Sequence, residues 1–176
     1  AYTASHVGDT QVRNRGTIGG SLCHGEPASD LPAAILATRA TLVITGPKGD
    51  RTVKSDDFFT DFWETAVEED ELLTEILIPK HTEQSWGFQK FNRRAQDWAI
   101  VGCAIQQGDN PAIGMVNMGS TPVRAAEAEA ALQSGASHEG VAELADSGLT
   151  PPTDIHGNEA YRRHLSQILL KRALDN

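Results

Sequence analysis

The sequence predicts an α+β fold. Two observations carry that prediction. After a first part that alternates helical and extended signals, strand-like segments from Trp86 to Gly119 lie ahead of the helices, and from Arg124 onward the apolar spacing changes to a helical period that persists to Leu174. Strands gathered before helices, rather than alternating with them, indicate a sheet with helices packed on it.

Each element has a local reason. Asp30 to Thr38 (Asp-Leu-Pro-Ala-Ala-Ile-Leu-Ala-Thr) reads as a short helix, with Asp30 in the N-cap position and Pro32 in the first turn. Ala40 to Gly46 reads as a strand, Pro47 to Asp50 as its turn and Arg51 to Lys54 as the return of a hairpin. Ser55 to Phe59 reads as a cap and a short helix burying Phe58 and Phe59. Glu71 to Pro79 alternates Leu72, Thr74, Ile76 and Ile78 against Leu73, Glu75 and Leu77, as a strand apolar on much of both faces does. The polar stretch 81–85 after Pro79 marks the expected boundary. Beyond it, Trp86 to Asn92, Trp98 to Gln106 and Ala112 to Gly119 read as strands, with a turn at Gly108 to Pro111. The alanine- and glutamate-rich run Arg124 to Gln133 is a strong helix former. Ser137 caps an expected helix over His138 to Asp146, and Asn158 one over Glu159 to Leu174, where Tyr161, Leu165, Ile168 and Leu169 fall at helical spacing.

Composition narrows the function. The 176 residues carry 15 Lys+Arg against 24 Asp+Glu, a net charge of −9, which disfavours a nucleic-acid binder that must displace counterions from phosphates. No run nears the roughly 20 apolar residues of a membrane span, and no signal-peptide pattern opens the chain. Cys23 and Cys103 form no Cys-x-x-Cys pair and the six histidines lack metal-ligand spacing, so no metal site is expected and a reducing cytoplasm is the simplest setting. Cys23 is expected in a loop, and Trp86 and Trp98 in the core or between domains.

The stretch from Gln11 to Ser21, followed by Glu26 to Pro32, is the most informative. Gly19 and Gly20 permit turn conformations and close approach of a ligand, and Thr17 and Ser21 flank them with hydroxyls suited to a phosphate or sugar. Asp30 adds a carboxylate for a hydroxyl. On spacing alone, a nucleotide-holding turn and a plain tight turn feeding a capped helix both remain open.

The whole phrase VRNRGTIGGSLCHGEPASDLPAAILA, Val12 to Ala37, resembles the second flavin-binding segment of the FAD subunit of molybdenum hydroxylases, the carbon monoxide dehydrogenase and xanthine dehydrogenase flavoproteins. The resemblance continues through Leu72 to Pro79, Phe88 to Ala99, Thr121 to Ala125 and Tyr161 to Leu165. It implies that residues 1–82 are the C-terminal part of the FAD-binding domain and residues 83–176 the flavoprotein C-terminal domain, a small antiparallel sheet packed on helices. An earlier Gly-rich phosphate loop of the family has no counterpart here, so the chain is expected to be a fragment of that subunit.

Residue by residue, the resemblance assigns Thr17, Gly19, Gly20 and Ser21 to the FAD phosphates and ribityl chain, and Asp30 to ribityl or ribose hydroxyls. Leu73 would line the isoalloxazine edge, and Lys90 would sit near the ring to favour a reduced anionic flavin. The alternatives are a helix cap for Asp30, a core leucine for Leu73 and an exposed strand lysine for Lys90. Arg13 and Asn14 are expected to set loop geometry, and Arg93, Arg94 and Asp97 to pair at the domain junction. No catalytic side chain is indicated, as suits a subunit whose flavin performs the redox chemistry. The implied partners are a molybdenum-cofactor subunit and a [2Fe-2S] subunit. The other readings are a truncated, non-catalytic chain acting as an interaction module, with a homodimer covering its exposed apolar face, and a generic nucleotide-binding module.

Overall fold

The computed structural model of the chain describes residues 1–80 and 85–176. The stretch expected as the domain boundary lies almost wholly outside the described residues. Three short helices open the chain: α1 (Tyr2–Ser5), α2 (Thr10–Arg15) and α3 (Ile18–His24). A fourth, α4 (Asp30–Ala37), leads into the hairpin of β1 (Thr41–Gly46) and β2 (Gly49–Lys54). After a 3-10 turn at Ser55–Asp57 come the short β3 (Phe59–Asp61) and β4 (Glu64–Thr65), and then β5 (Leu72–Leu77). The second part holds β6 (Trp86–Phe91), β7 (Val101–Gln106), β8 (Ala112–Val116) and β9 (Val123–Arg124). It ends with α5 (Ala126–Gln133), α6 (His138–Glu143) and α7 (Glu159–Leu174).

The α+β expectation holds. The sheets are antiparallel throughout, in the orders β2-β1-β5, β3-β4 and β6-β7-β8-β9. In the first sheet Val43 faces Glu75 while Ile44 faces Leu73, so Thr74 bulges out of register. The bulge overrides the simple alternation expected for β5. Leu73 and Ile76 both turn toward the core of Leu22, Ile35, Leu42 and Phe58, while Leu72, Leu77 and Ile78 are left exposed.

The four-stranded sheet is covered on both faces, which is why every residue of β7 is buried. On one side Cys103, Ile105, Ile113 and Met115 pack against α5, α6 and α7, together with Leu169 and Leu170. On the other, Phe88, Ala104 and Val116 meet Ala33 and Ala37 of α4. Two glycines permit this closeness. A Cβ on Gly114 would stand 2.1 Å from the Ala33 carbonyl oxygen, and one on Gly87 would stand 2.2 Å from that of Ala173. Helix α4 therefore contributes to two cores, since Ile35 and Leu36 belong to the cluster around Leu22 and Phe58.

Ion pairs cross the same junction. Glu129 accepts from the Ile113 amide (2.7 Å) and from Arg124 Nε (2.8 Å), and Arg39 lies 3.6 Å away. Arg124 also pairs with Asp56. Arg93, Arg94 and Asp97 do not pair, contrary to expectation: among the described residues no ion pair involves them, because the first two point to solvent. Trp86 and Trp98 are likewise more than half exposed rather than core residues, and Cys23 lies within α3 instead of a loop. Among the described residues no helix is long and apolar enough to cross a membrane.

Candidate functional site

The first helices build one wall of a cavity. Asp9 caps α2, its carboxylate accepting from the Gln11 (2.8 Å) and Val12 (3.1 Å) amides. Arg13 and Arg15 then fall in the last turn of α2. Arg13 donates to the Val7 carbonyl and to Thr10 Oγ1. Thr17 caps α3 in turn, its Oγ1 accepting from the Gly20 amide at 3.0 Å. The expected Gly-rich turn is thus a capped helix. Neither Gly19 nor Gly20 has a positive φ; a Cβ on Gly19 would meet nothing within 4 Å, and one on Gly20 would stand 3.0 Å from Thr17 Oγ1.

Across the cavity stand α4 and β6. Ser29, not Asp30, is the N-cap residue of α4, and it makes no side-chain cap bond. Asp30 is the first helical residue, and its Oδ2 accepts from Lys90 Nζ at 2.7 Å. Lys90 Nζ also donates to the His6 carbonyl at 3.1 Å. The pair is deeply buried, with side chains 6% (Lys90) and 4% (Asp30) exposed. Asp30 Oδ1 is buried and has no hydrogen-bond partner among the described residues. Burial pushes the Asp30 carboxyl above its ordinary range, and the bond and charge of Lys90 pull it partly back.

These elements line an open cleft of about 790 Å³, within the size range of small-molecule sites. Its polar lining includes Arg13, Arg15, Thr17, Ser21, Asp30 and Lys90, with Asp97 a second carboxylate, and its apolar lining includes Val7, Val12, Ile18 and Trp98. Of the seven residues singled out from the sequence, Thr17, Gly20, Ser21, Asp30 and Lys90 line it. Gly19 lies in the same helical turn without lining the cavity, and Leu73 lies on β5, paired with Ile44 and packed on the other core. Arg13, Arg15 and Trp98 are the additions. Cations beside hydroxyls and an apolar wall suit a ligand with a flat ring and an anionic portion. By donor chemistry, the residues present fit FAD.

Comparison with known proteins agrees. Residues 1–81 match the family described as the FAD binding domain in molybdopterin dehydrogenase, and residues 86–176 match the CO dehydrogenase flavoprotein C-terminal domain. The chain is 36% identical over 186 residues to the carbon monoxide dehydrogenase medium chain of Hydrogenophaga pseudoflava, covering 99% of this chain and 65% of that one. It is 30% identical to the nicotine 6-hydroxylase medium subunit of Paenarthrobacter nicotinovorans, again covering 99% and 65%. Among solved structures, carbon monoxide dehydrogenase from Hydrogenophaga pseudoflava superposes with a TM-score of 0.94 at 37% identity, over 99% of this chain and 65% of that one. Quinoline 2-oxidoreductase from Pseudomonas putida 86 gives a TM-score of 0.87 at 29% identity, over 98% and 64%. The chain thus spans about two thirds of the length of these relatives. With both of its parts matched in order, it belongs to the FAD-binding flavoprotein family of the molybdenum hydroxylases, to which the carbon monoxide dehydrogenase medium chains also belong.

Proposed function

We propose that this chain works within an FAD-carrying electron-transfer subunit of a molybdenum hydroxylase, taking electrons from iron–sulfur centres and passing them to an external acceptor. The observation that carries the reading is the convergence of Thr17, Gly20, Ser21, Asp30 and Lys90 on one cavity, with Arg13 and Arg15 added. The two-part division at 82/83, a molybdenum-cofactor subunit and a [2Fe-2S] subunit as partners, and a cytoplasmic setting consistent with two free cysteines belong to the same proposal.

FAD, when bound, supplies the redox chemistry. The chain's own residues bind and orient it. Arg13 and Arg15 offer guanidinium donors to an anionic diphosphate. Thr17 and Ser21 offer hydroxyls, and the unpaired Asp30 Oδ1 is an acceptor for a ligand hydroxyl. Lys90 is held in place by Asp30 and the His6 carbonyl, so its charge stands at the cavity without reorganisation. Trp98 and Val12 help keep water from the ring.

A second reading is a folded chain that holds no cofactor and acts by interaction, as a homodimer among other forms. It is favoured by the exposed Leu72, Leu77 and Ile78 on β5. Titrating the purified chain with FAD, following flavin fluorescence and the visible band, separates the two. Saturable one-to-one binding, weakened by Arg13→Gln, is expected. A titration without saturation overturns cofactor binding by this chain and leaves the second reading.

A further inference from the structure

The hairpin between β3 and β4 ends in two aromatic residues that no core absorbs. Phe62 and Trp63 are 52% and 56% exposed. Their rings stack with centroids 4.7 Å apart, and the His24 ring stacks on Trp63 at 5.9 Å. Trp63 Nε1 donates to Glu26 Oε2 at 2.6 Å, and the other oxygen of Glu26 accepts from the Ala28 amide at 3.0 Å. Trp63 has a φ of 58°, in the left-handed region that a bulky side chain rarely occupies. Two stacking contacts and a hydrogen bond to a tethered carboxylate thus hold a large apolar side chain out in solvent. The cost of ordering it is met before any partner arrives.

We propose that Phe62 and Trp63 form a preformed anchor that docks this chain onto another protein subunit, seated in an apolar pocket rimmed by lysine or arginine. The shape of the feature argues for a protein: small-molecule sites are concave, whereas this is the tip of a hairpin, and tryptophan is enriched among residues that dominate protein interfaces. Charge selects the rim. From Ser55 to Asp70 the chain carries seven carboxylates and no lysine, arginine or histidine. Asp61 and Glu64, immediately flanking the anchor, are both exposed. A basic rim on the partner would steer its approach and set its register. The inference rests on the reading of the chain as part of a multi-subunit enzyme.

The test is isolation of the assembled complex through a tag on this chain. Wild type is compared with Phe62→Ser/Trp63→Ser, with Glu26→Gln, which keeps the rings but loosens Trp63, and with Ile155→Ser as an exposed control. Wild type and control are expected to retain the same polypeptides in fixed ratio. The double variant should hold at least one of them tenfold or more weakly, and Glu26→Gln should do so to a smaller degree. A photo-crosslinking residue in place of Phe62 should join that same polypeptide at a lysine- or arginine-bearing segment, and added salt should slow association. Full retention by the double variant, or a crosslink to no other subunit, overturns the proposal. So does a variant that keeps the complex but loses reduction of an added water-soluble naphthoquinone, which would assign the rings to a small planar molecule. If wild type retains no polypeptide in fixed ratio, the subunit reading itself fails.

Discussion

Replacing Lys90 with methionine tests the pair that joins α4 to β6. The substitution keeps most of the apolar stem and removes the ammonium, with its bonds to Asp30 and to the His6 carbonyl. Asp30 would then remain buried with neither oxygen paired to a cation, Oδ1 being without a partner already. Removing one member of a buried pair costs about 3–5 kcal/mol, against about 1 kcal/mol or less for a surface pair. For a chain of this size each kcal/mol lowers the melting temperature by roughly 2–4 °C, so a drop of roughly 6–20 °C is expected. The deficit should also depend on pH. Asp30's carboxyl already lies above the ordinary 3.8, and Lys90 is what restrains it. Without Lys90 it rises further. An acid whose folded value is raised contributes most stability below its unfolded value and loses it as pH rises through the folded value. The variant should therefore be weakest near neutral pH and recover relative to wild type as pH falls toward 3.8. Urea unfolding across that range measures this, with Asp30→Asn/Lys90→Met completing the cycle. A deficit under about 1 kcal/mol at neutral pH, or one that does not change with pH, would refute the burial argument.

Three further outcomes follow from the packing and the charges. Gly114→Ala places a methyl 2.1 Å from the Ala33 carbonyl oxygen, so it should cost about 3 kcal/mol or more by forcing α4 off the sheet, read as a lowered urea midpoint. Glu129→Ala strips the Ile113 amide of its acceptor and Arg124 of the more buried of its two carboxylate partners and should cost about 3 kcal/mol, with Asp56→Ala much milder because its side chain is 41% exposed. Burial pushes the Cys103 thiol up to about 12 and raises that of Cys23 as well. Both should resist iodoacetamide at neutral pH, and mass spectrometry should find Cys103 modified only once the chain unfolds.

The second half of the chain was the more legible in sequence. Asn158 caps α7 as its position predicts, and the helix runs over Glu159–Leu174. Ser137 caps α6, although that helix stops at Glu143, short of the expected Asp146. The β1–β2 hairpin also matches its turn signal. The first thirty residues were much less legible. Helices of four, six and seven residues are too short to display a period, and glycine's poor helix propensity made Gly19 and Gly20 read as a turn. The Thr17 cap was the countersignal. At the site, the sequence pointed to Asp30 and Lys90 separately, but nothing in a one-dimensional pattern says that residues 60 positions apart will bury each other's charge. Arg13 was expected only to set loop geometry and Arg15 stood in the quoted phrase without a role, and only the fold of α2 brings them to the cavity wall. The Thr74 bulge shows the same limit in the sheet: a period of two cannot announce where a strand will skip a residue.

Helix α4 has no exposed residue along its eight positions. It therefore has no neutral face on which sequence can drift, and a change that suits one neighbour must also suit the other. The same fact sets the unit of cooperativity. Amide protons in the middle of α4 can exchange with solvent only when both cores open, so the two parts should lose protection together, with α4 among the last segments to do so. Splitting the polypeptide between residues 80 and 85 into separately expressed pieces should then yield fragments that are unstable apart and recover structure on mixing, because each piece lacks a layer the other supplies.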